Sequence, residues 1–351
     1  MKPTAVLRIT FLFGAIILAL LAAPAEACGC GGYVPREGDA HVTQERALLR
    51  WDGQTEDIVM AFNVQGSSDE AALIMPVPAR ASVKLADPKL FDTLQELTKP
   101  LVEKRPRAPS FGLGAGAPEA VGGAAPPVTL LDRQTLGPFD VSTLTATDST
   151  ALVDWLKTNG YNMRPQLAQA LQPYVDQQWY YVAVRLTPGQ SGDKLKGSLD
   201  PIWISFPAQQ LVYPMRASAA ATIPLPVILY VLAPHRVTKS ASFGPSHLAY
   251  AGWVDPGTAG VTPALAPFVG SKMFLTKYQD TAFPSQINAD YVFAQAPTDE
   301  TYRDTQIEYV DDPSVYLVPL LLCGVMALAA LAVLLAVVIF AVRRLRKPEP
   351  A

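Results

Sequence analysis

The chain has 351 residues, 50% of them hydrophobic and 17% charged, with a formal net charge of −3. No basic stripe stands out, which argues against nucleic acid as a partner. Cys28, Cys30 and Cys323 are too few for a disulfide framework, and a chain this long does not need one to build a core.

Residues 1–27 have the three parts of a secretory signal. Lys2 and Arg8 give a positive start, Ile9 to Ala23 an apolar core, and Ala25-Glu26-Ala27 a small-x-small cleavage pattern. A retained anchor is the alternative, but the core is short and Pro24 follows it. Cleavage would leave Cys28 first, which invites lipidation; Ala25 stands where a lipidated bacterial cysteine usually has Leu. The body, residues 28–312, carries a net charge of −7.

In its first part, residues 28–105, Arg46 to Trp51 and Asp57 to Val64 flank Asp52-Gly53, a hairpin dipeptide. Ala71 to Val77 is a continuous apolar run suited to a buried strand. Prolines beside such runs, as in Met75-Pro76-Val77-Pro78 and Ile223-Pro224-Leu225-Pro226, place them at turns or sheet edges. A helix is predicted from Asp87 as N-cap, with Leu90, Phe91, Leu94, Leu97 and Leu101 on one face and Pro106 as its stop. Residues 106–127 are mostly Pro, Gly and Ala and read as a linker or surface loop. One composite domain is favoured over two, because residues 40–103 alone make a thin core.

In the second part, residues 128–298, short strands are expected at Val128 to Leu131 and Phe139 to Leu144. Two helices follow. One starts near Asp148-Ser149 and stops at Asn159-Gly160, and the other runs from about Pro165 to Gln177. Further strands are predicted at Trp179 to Leu186, Pro201 to Phe206, Val227 to Leu232, His247 to Val254 and Lys272 to Lys277. The fold class is α+β: a strand-rich body with about three helices, plus one C-terminal transmembrane helix. Residues 299–314 read as a solvated acidic stalk.

Leu317 to Val342 holds no charge and, at ~1.5 Å per residue, is long enough as a helix to cross a bilayer. The transmembrane helix is assigned to residues 315–342 and the tail to 343–351. Arg343, Arg344, Arg346 and Lys347 keep that tail on the cytoplasmic side, so the body faces outward from a plasma membrane.

Several short motifs occur in a fixed order: a Cys-Gly run at the mature start, Glu45-Arg46, Met75-Pro76-Val77-Pro78, Trp155-Leu156 leading to Asn159-Gly160-Tyr161, Tyr181-Val182-Ala183-Val184-Arg185-Leu186, and Pro214-Met215-Arg216. By this set, over about residues 28 to 255, the chain resembles the bacterial domain-of-unknown-function family 2330. The resemblance implies a secreted, membrane-anchored body and supplies no catalytic residues. The motifs also have structural readings: Asn-Gly is a helix stop, and a Trp on a helix face packs.

The search for chemistry yields little. Cys28-x-Cys30 with His41 can offer two thiolates and an imidazole to a soft metal, but no further pair completes a tetrahedron. A disulfide or a packed start is the plainer reading. His235 and His247 lack ligand spacing and read as surface or half-buried histidines. Gly112-x-Gly114-x-Gly116 lies in the linker, away from any strand-to-helix turn. There is no G-x-S-x-G elbow and no H-E-x-x-H helix. No cofactor is expected. The favoured function is a binding or structural module at the cell envelope, for an envelope component or a protein partner; the alternative is an envelope hydrolase whose site assembles from distant residues.

Overall fold

The computed structural model describes residues 32–36, 40–106, 129–136, 139–145, 149–161, 165–187, 195–221, 223–310 and 314–345. The first stretch holds β1 (Tyr33–Pro35), β2 (His41–Trp51), β3 (Thr55–Ser68), β4 (Ala71–Val77), β5 (Ser82–Leu85), α1 (Leu90–Leu97) and β6 (Leu101–Pro106). Then come β7 (Thr129–Leu136), β8 (Phe139–Thr145), α2 (Ser149–Thr158), α3 (Pro165–Asp176), β9 (Tyr180–Leu186), β10 (Leu195–Ser198), β11 (Ile202–Pro207) and β12 (Leu211–Tyr213). The last are β13 (Leu225–Ala233), β14 (Val237–Lys239), β15 (Ser246–Val254), β16 (Met273–Ala282), β17 (Tyr291–Gln295), β18 (Tyr302–Arg303), β19 (Thr305–Val310) and α4 (Ser314–Leu345). The class is α+β and strand-rich.

The chain divides into two compact units, one up to Pro100 together with residues 117–304, the other Leu101–Gly116 together with Thr305–Ala351. In the first unit a five-stranded sheet, β1-β4-β9-β8-β7, faces a larger one, β18-β15-β16-β13-β2-β3-β11-β5, with β10 also on β3. Alternation decides which residues meet. Ala47, Leu49, Ile58, Met60 and Phe62 enter the inter-sheet core with Leu73, Met75, Val182 and Val184. Their out-of-phase neighbours serve the outer faces. Ile74, Tyr181 and Ala183 pack on α2 and α3 through Leu152, Leu156, Leu167 and Leu171. Leu48, Val59 and Ala61 pack on α1 through Leu90, Phe91 and Leu94. Every residue of β4 is buried, as its unbroken apolar run requires. A three-stranded sheet, β12-β17-β14, adds Leu211, Tyr213, Val237, Tyr291 and Phe293 to the central core.

The interior prolines obey the hydrogen-bond ladder. Pro76 pairs with β9 at Tyr181, whereas β1 pairs only with Ala71 to Leu73. Pro226 pairs with Thr281, and the pairing of β13 with β2 starts one residue later, at Val227. Each missing N–H therefore falls where one flank of its strand is unpaired. At the end of α2, Gly160 takes φ +86° while the Tyr161 N–H reaches Leu156 O at 2.9 Å, the helix stop expected at Asn159-Gly160.

The helix predicted from Asp87 is shorter than expected. Asp87 precedes it as a turn, its Oδ1 accepting the Lys89 N–H at 2.8 Å, and the helix ends at Leu97. The Thr98 hydroxyl donates to Leu94 O, closing the last turn. Leu101 begins a strand instead of extending the apolar helix face.

In the second unit β6 pairs in parallel with β19, Leu101 opposite Thr305 and Pro106 opposite Val310. Most of its side chains are exposed, with Lys104 and Glu308 paired across it at 3.6 Å. The acidic stretch read as a stalk thus includes two strands, β18 and β19. The helix α4 follows, and its stretch Leu321–Val342 is long and apolar enough to cross a membrane.

Candidate functional site

An open cleft of about 990 Å³ lies among residues from β12, the β2–β3 turn, the turn after α3 and the β11–β12 turn. Its polar lining is Gln54, Gln177, Gln209 and Gln210, and its aromatic wall is Trp179. The fold places them without recourse to long loops. Gly53 takes φ +99° in the hairpin turn, where Asp52 Oδ1 accepts the N–H groups of Gln54 at 3.1 Å and Thr55 at 2.9 Å. The Trp179 ring lies 5.0 Å from that of Tyr174, which fixes it. Among the described residues, no titratable side chain lines the cleft.

Behind Val212, which lines the cleft, sits Glu56, fully buried. It is in phase with Ile58 and Met60 and so points into the core. Both its oxygens accept the Val212 N–H, at 3.3 and 3.2 Å. Burial pushes its carboxyl well above the ordinary range, against the lowering effect of that hydrogen bond, and Asp57 adds to the rise.

The motif residues form polar joints between layers. Glu70 accepts from Arg185 and from Arg36, the latter at 2.7 Å, and Arg185 also reaches Asp140 at 3.3 Å. The Arg185 hydrogen bond is the main cause holding Glu70 below the ordinary carboxylate range. Beside them burial pushes the Tyr161 hydroxyl up to about 12. In a second joint, Asp290 Oδ1 accepts from the Tyr174 hydroxyl at 2.5 Å, the Met215 N–H at 2.7 Å and the Arg216 N–H at 3.1 Å. Its Oδ2 takes Arg216 Nε at 3.2 Å. Pro214-Met215-Arg216 is thereby fastened to α3 and to the approach of β17.

A third cluster lies inside the sandwich. Lys239 Nζ donates to Asp280 Oδ2 at 2.5 Å, with side chains 6% and 2% exposed. The ammonium sits over the rings of Tyr291 at 4.6 Å and Tyr278 at 5.4 Å. Glu45 and Asp280 both pair with Val227, one from each side, and so lie in one row of the large sheet facing the core. Glu45 also accepts from the Tyr213 hydroxyl. Burial, then Asp280 and Glu45, push the Tyr291 hydroxyl far up. Tyr291 Oη and Asp280 Oδ1 are both buried and short of ordinary hydrogen-bond geometry.

Cys28 and Cys30 lie outside the described residues. His41 opens β2 opposite Gln65 and is half-buried. Among the described residues no three His, Cys, Asp or Glu side chains gather as a metal site. His235 and His247 are half-exposed, and each holds a carboxylate: His235 Nδ1 lies 2.8 Å from Asp299 and His247 Nε2 2.6 Å from Asp304. Gly112 to Gly116 lie outside the described residues. Sequence reasoning missed Glu56, Lys239, Asp280 and Asp290. Phase was the available signal for two of them: Glu56 alternates with Ile58 and Met60, and Asp280 with Tyr278 and Ala282.

One solved structure similar to the chain is a crystal structure of baculovirus P35, at TM-score 0.33 and 10% identity, covering 76% of this chain and 99% of that one. Comparison with curated proteins gives no match. A family model described as "Uncharacterized protein conserved in bacteria" matches residues 24–294, and the chain belongs to that family, DUF2330.

Proposed function

We propose that this chain is a binding module of the cell envelope, held at the plasma membrane by α4 with its body outside and its tail in the cytoplasm. The signal pattern at the N-terminus and the cations after Val342 support that orientation. The observation that carries the binding reading is the cleft: four glutamines and one tryptophan, with no charged side chain lining it among the described residues. Amides both donate and accept, and an indole face takes an apolar sugar face. This chemistry suits an uncharged glycan better than an anion or a cation. The cleft is a recess among the turns at one end of the sandwich, and among the described residues its lining holds no nucleophile–base pair of the kind a hydrolase requires.

The test is a titration of the full chain, in detergent, with neutral oligomers of N-acetylated hexosamine, followed by tryptophan fluorescence and calorimetry. Saturable binding lost in Trp179→Ala is expected, and no response at millimolar oligomer would overturn the glycan reading. Protease added to intact cells should remove the body. A protected body, beside a digested surface control, would overturn the orientation.

A further inference from the structure

We propose that Lys239 and Asp280 condense into an intramolecular amide, a covalent tie between β14 and β16, with Glu45 moving the proton. The argument starts from burial. An ammonium and a carboxylate held 2.5 Å apart in a nearly dry core have each given up most of their hydration, which raises the cost of keeping them charged. Moving one proton from Nζ to Asp280 Oδ2 gives a neutral amine against a neutral acid at no net change of charge. The amine then sits beside an electrophilic carbonyl carbon, fixed in place by two tyrosine rings.

The step balances within the residues present. The Nζ lone pair attacks Asp280 Cγ and the N–C bond forms. A second Nζ proton passes to the Glu45 carboxylate. Glu45 returns it to the departing hydroxyl, the C–O bond breaks, and water leaves. One ammonium and one carboxylate become one amide and one water, with no oxidant or cofactor.

The placing of Glu45 has a geometric basis. Glu45 and Asp280 flank Val227 in one sheet row, which sets their Cα atoms about 10 Å apart, two strand spacings. The Tyr291 ring lies 4.6 Å from the Lys239 ammonium, beside the reacting pair. Asp280 Oδ1, buried without a hydrogen bond, becomes the amide oxygen. Asp280 also borders a small pocket of about 330 Å³ with Gln44 and His247, an exit for the water. The tie closes a loop of 41 residues and joins the three-stranded sheet to an inner strand of the large one. No cysteine lies between Cys30 and Cys323, so disulfides do not serve this core.

The test is peptide mapping of the full chain purified in detergent and digested with trypsin under reducing, denaturing conditions. The bond predicts no cleavage after Lys239 and a branched species joining residues 237–272 to 278–303, lighter by one water than the two separate peptides. Lys239→Arg and Asp280→Ala should give linear peptides only. Glu45→Gln keeps both reacting groups and should form the branch at least ten-fold more slowly after refolding. Normal cleavage after Lys239 in the wild-type chain, with free 278–303, means a non-covalent ion pair only and overturns the proposal. A Glu45→Gln chain that cross-links as fast as wild type overturns the role of Glu45.

Discussion

Replacing Asp290 by Ala removes four hydrogen bonds from one carboxylate and separates three elements that meet there. The lost bonds are not equal. The Arg216 side chain is 31% exposed, so its ion pair is partly screened and contributes about 1 kcal/mol. The Met215 N–H and the Tyr174 hydroxyl are buried, and each left without an acceptor costs about 1–3 kcal/mol. With some relaxation, Asp290→Ala should cost about 3–5 kcal/mol and Arg216→Ala about 1 kcal/mol. Asp290→Asn keeps an acceptor at Oδ1 and should fall between them. Urea unfolding of the full chain in detergent gives the three values. Tryptophan fluorescence includes one reporter at the joint, because the Trp179 ring lies 5.0 Å from that of Tyr174. Were Arg216→Ala to match Asp290→Ala, the ion pair and not the backbone donors would be the source of stability, and the reasoning from burial would be wrong.

Glu56→Gln should stabilise the chain increasingly as pH rises. The folded state raises this carboxyl above its ordinary value of 4.5, so the wild type loses stability above that pH until the folded value is passed, and the variant does not. Melting both from about pH 4 to about pH 8 measures the widening gap, and a constant gap refutes it. Glu70→Gln should act in the opposite sense. Arg185 and Arg36 lower that carboxyl, so its contribution is present above its ordinary value and lost as pH falls through the folded one. Both arginines are about two-fifths exposed, and the loss at neutral pH should be about 1 kcal/mol, vanishing in acid. Gly244→Ala should cost about 3 kcal/mol or prevent folding. Gly244 has φ +144°, and a Cβ there meets Thr281 O at 2.2 Å and the Phe283 ring at 2.6 Å. A melting temperature unchanged by that substitution would show that the turn can move aside.

Much of the sandwich was legible because its strands carry their own evidence. The continuous run Ala71–Val77 is buried on both faces, and Asp52-Gly53 marks a hairpin that the structure contains. What escaped was short or lacked a periodic pattern. Tyr33–Pro35, Leu211–Tyr213 and Val237–Lys239 are three residues each, too short for alternation to register. Thr305–Val310 is exposed on both sides, so its residues follow no inside–outside pattern and read as a stalk. Leu101 continued an apolar helix period by chance, and only its pairing with Thr305 made it a strand. The candidate sites were less legible still. Lys239 and Asp280 come from different sheets, and nothing local to either forecasts the other.

The motif residues and the cleft residues are nearly separate sets, with Pro78 in both. Glu45, Arg185, Met215 and Arg216 are held by buried or half-buried partners where sheets and helices join. A change at Glu45, Arg185 or Arg216 leaves a charge or a donor unpaired, and the whole sandwich bears the cost. Gln54, Gln177, Gln209 and Gln210 are exposed and sit in turns, where a different side chain disturbs no ladder or core contact. The architecture therefore separates the residues that join its layers from the turn residues that line the cleft. Substitutions at the four glutamines should therefore leave the melting temperature unchanged, whereas those at the layer joints should lower it.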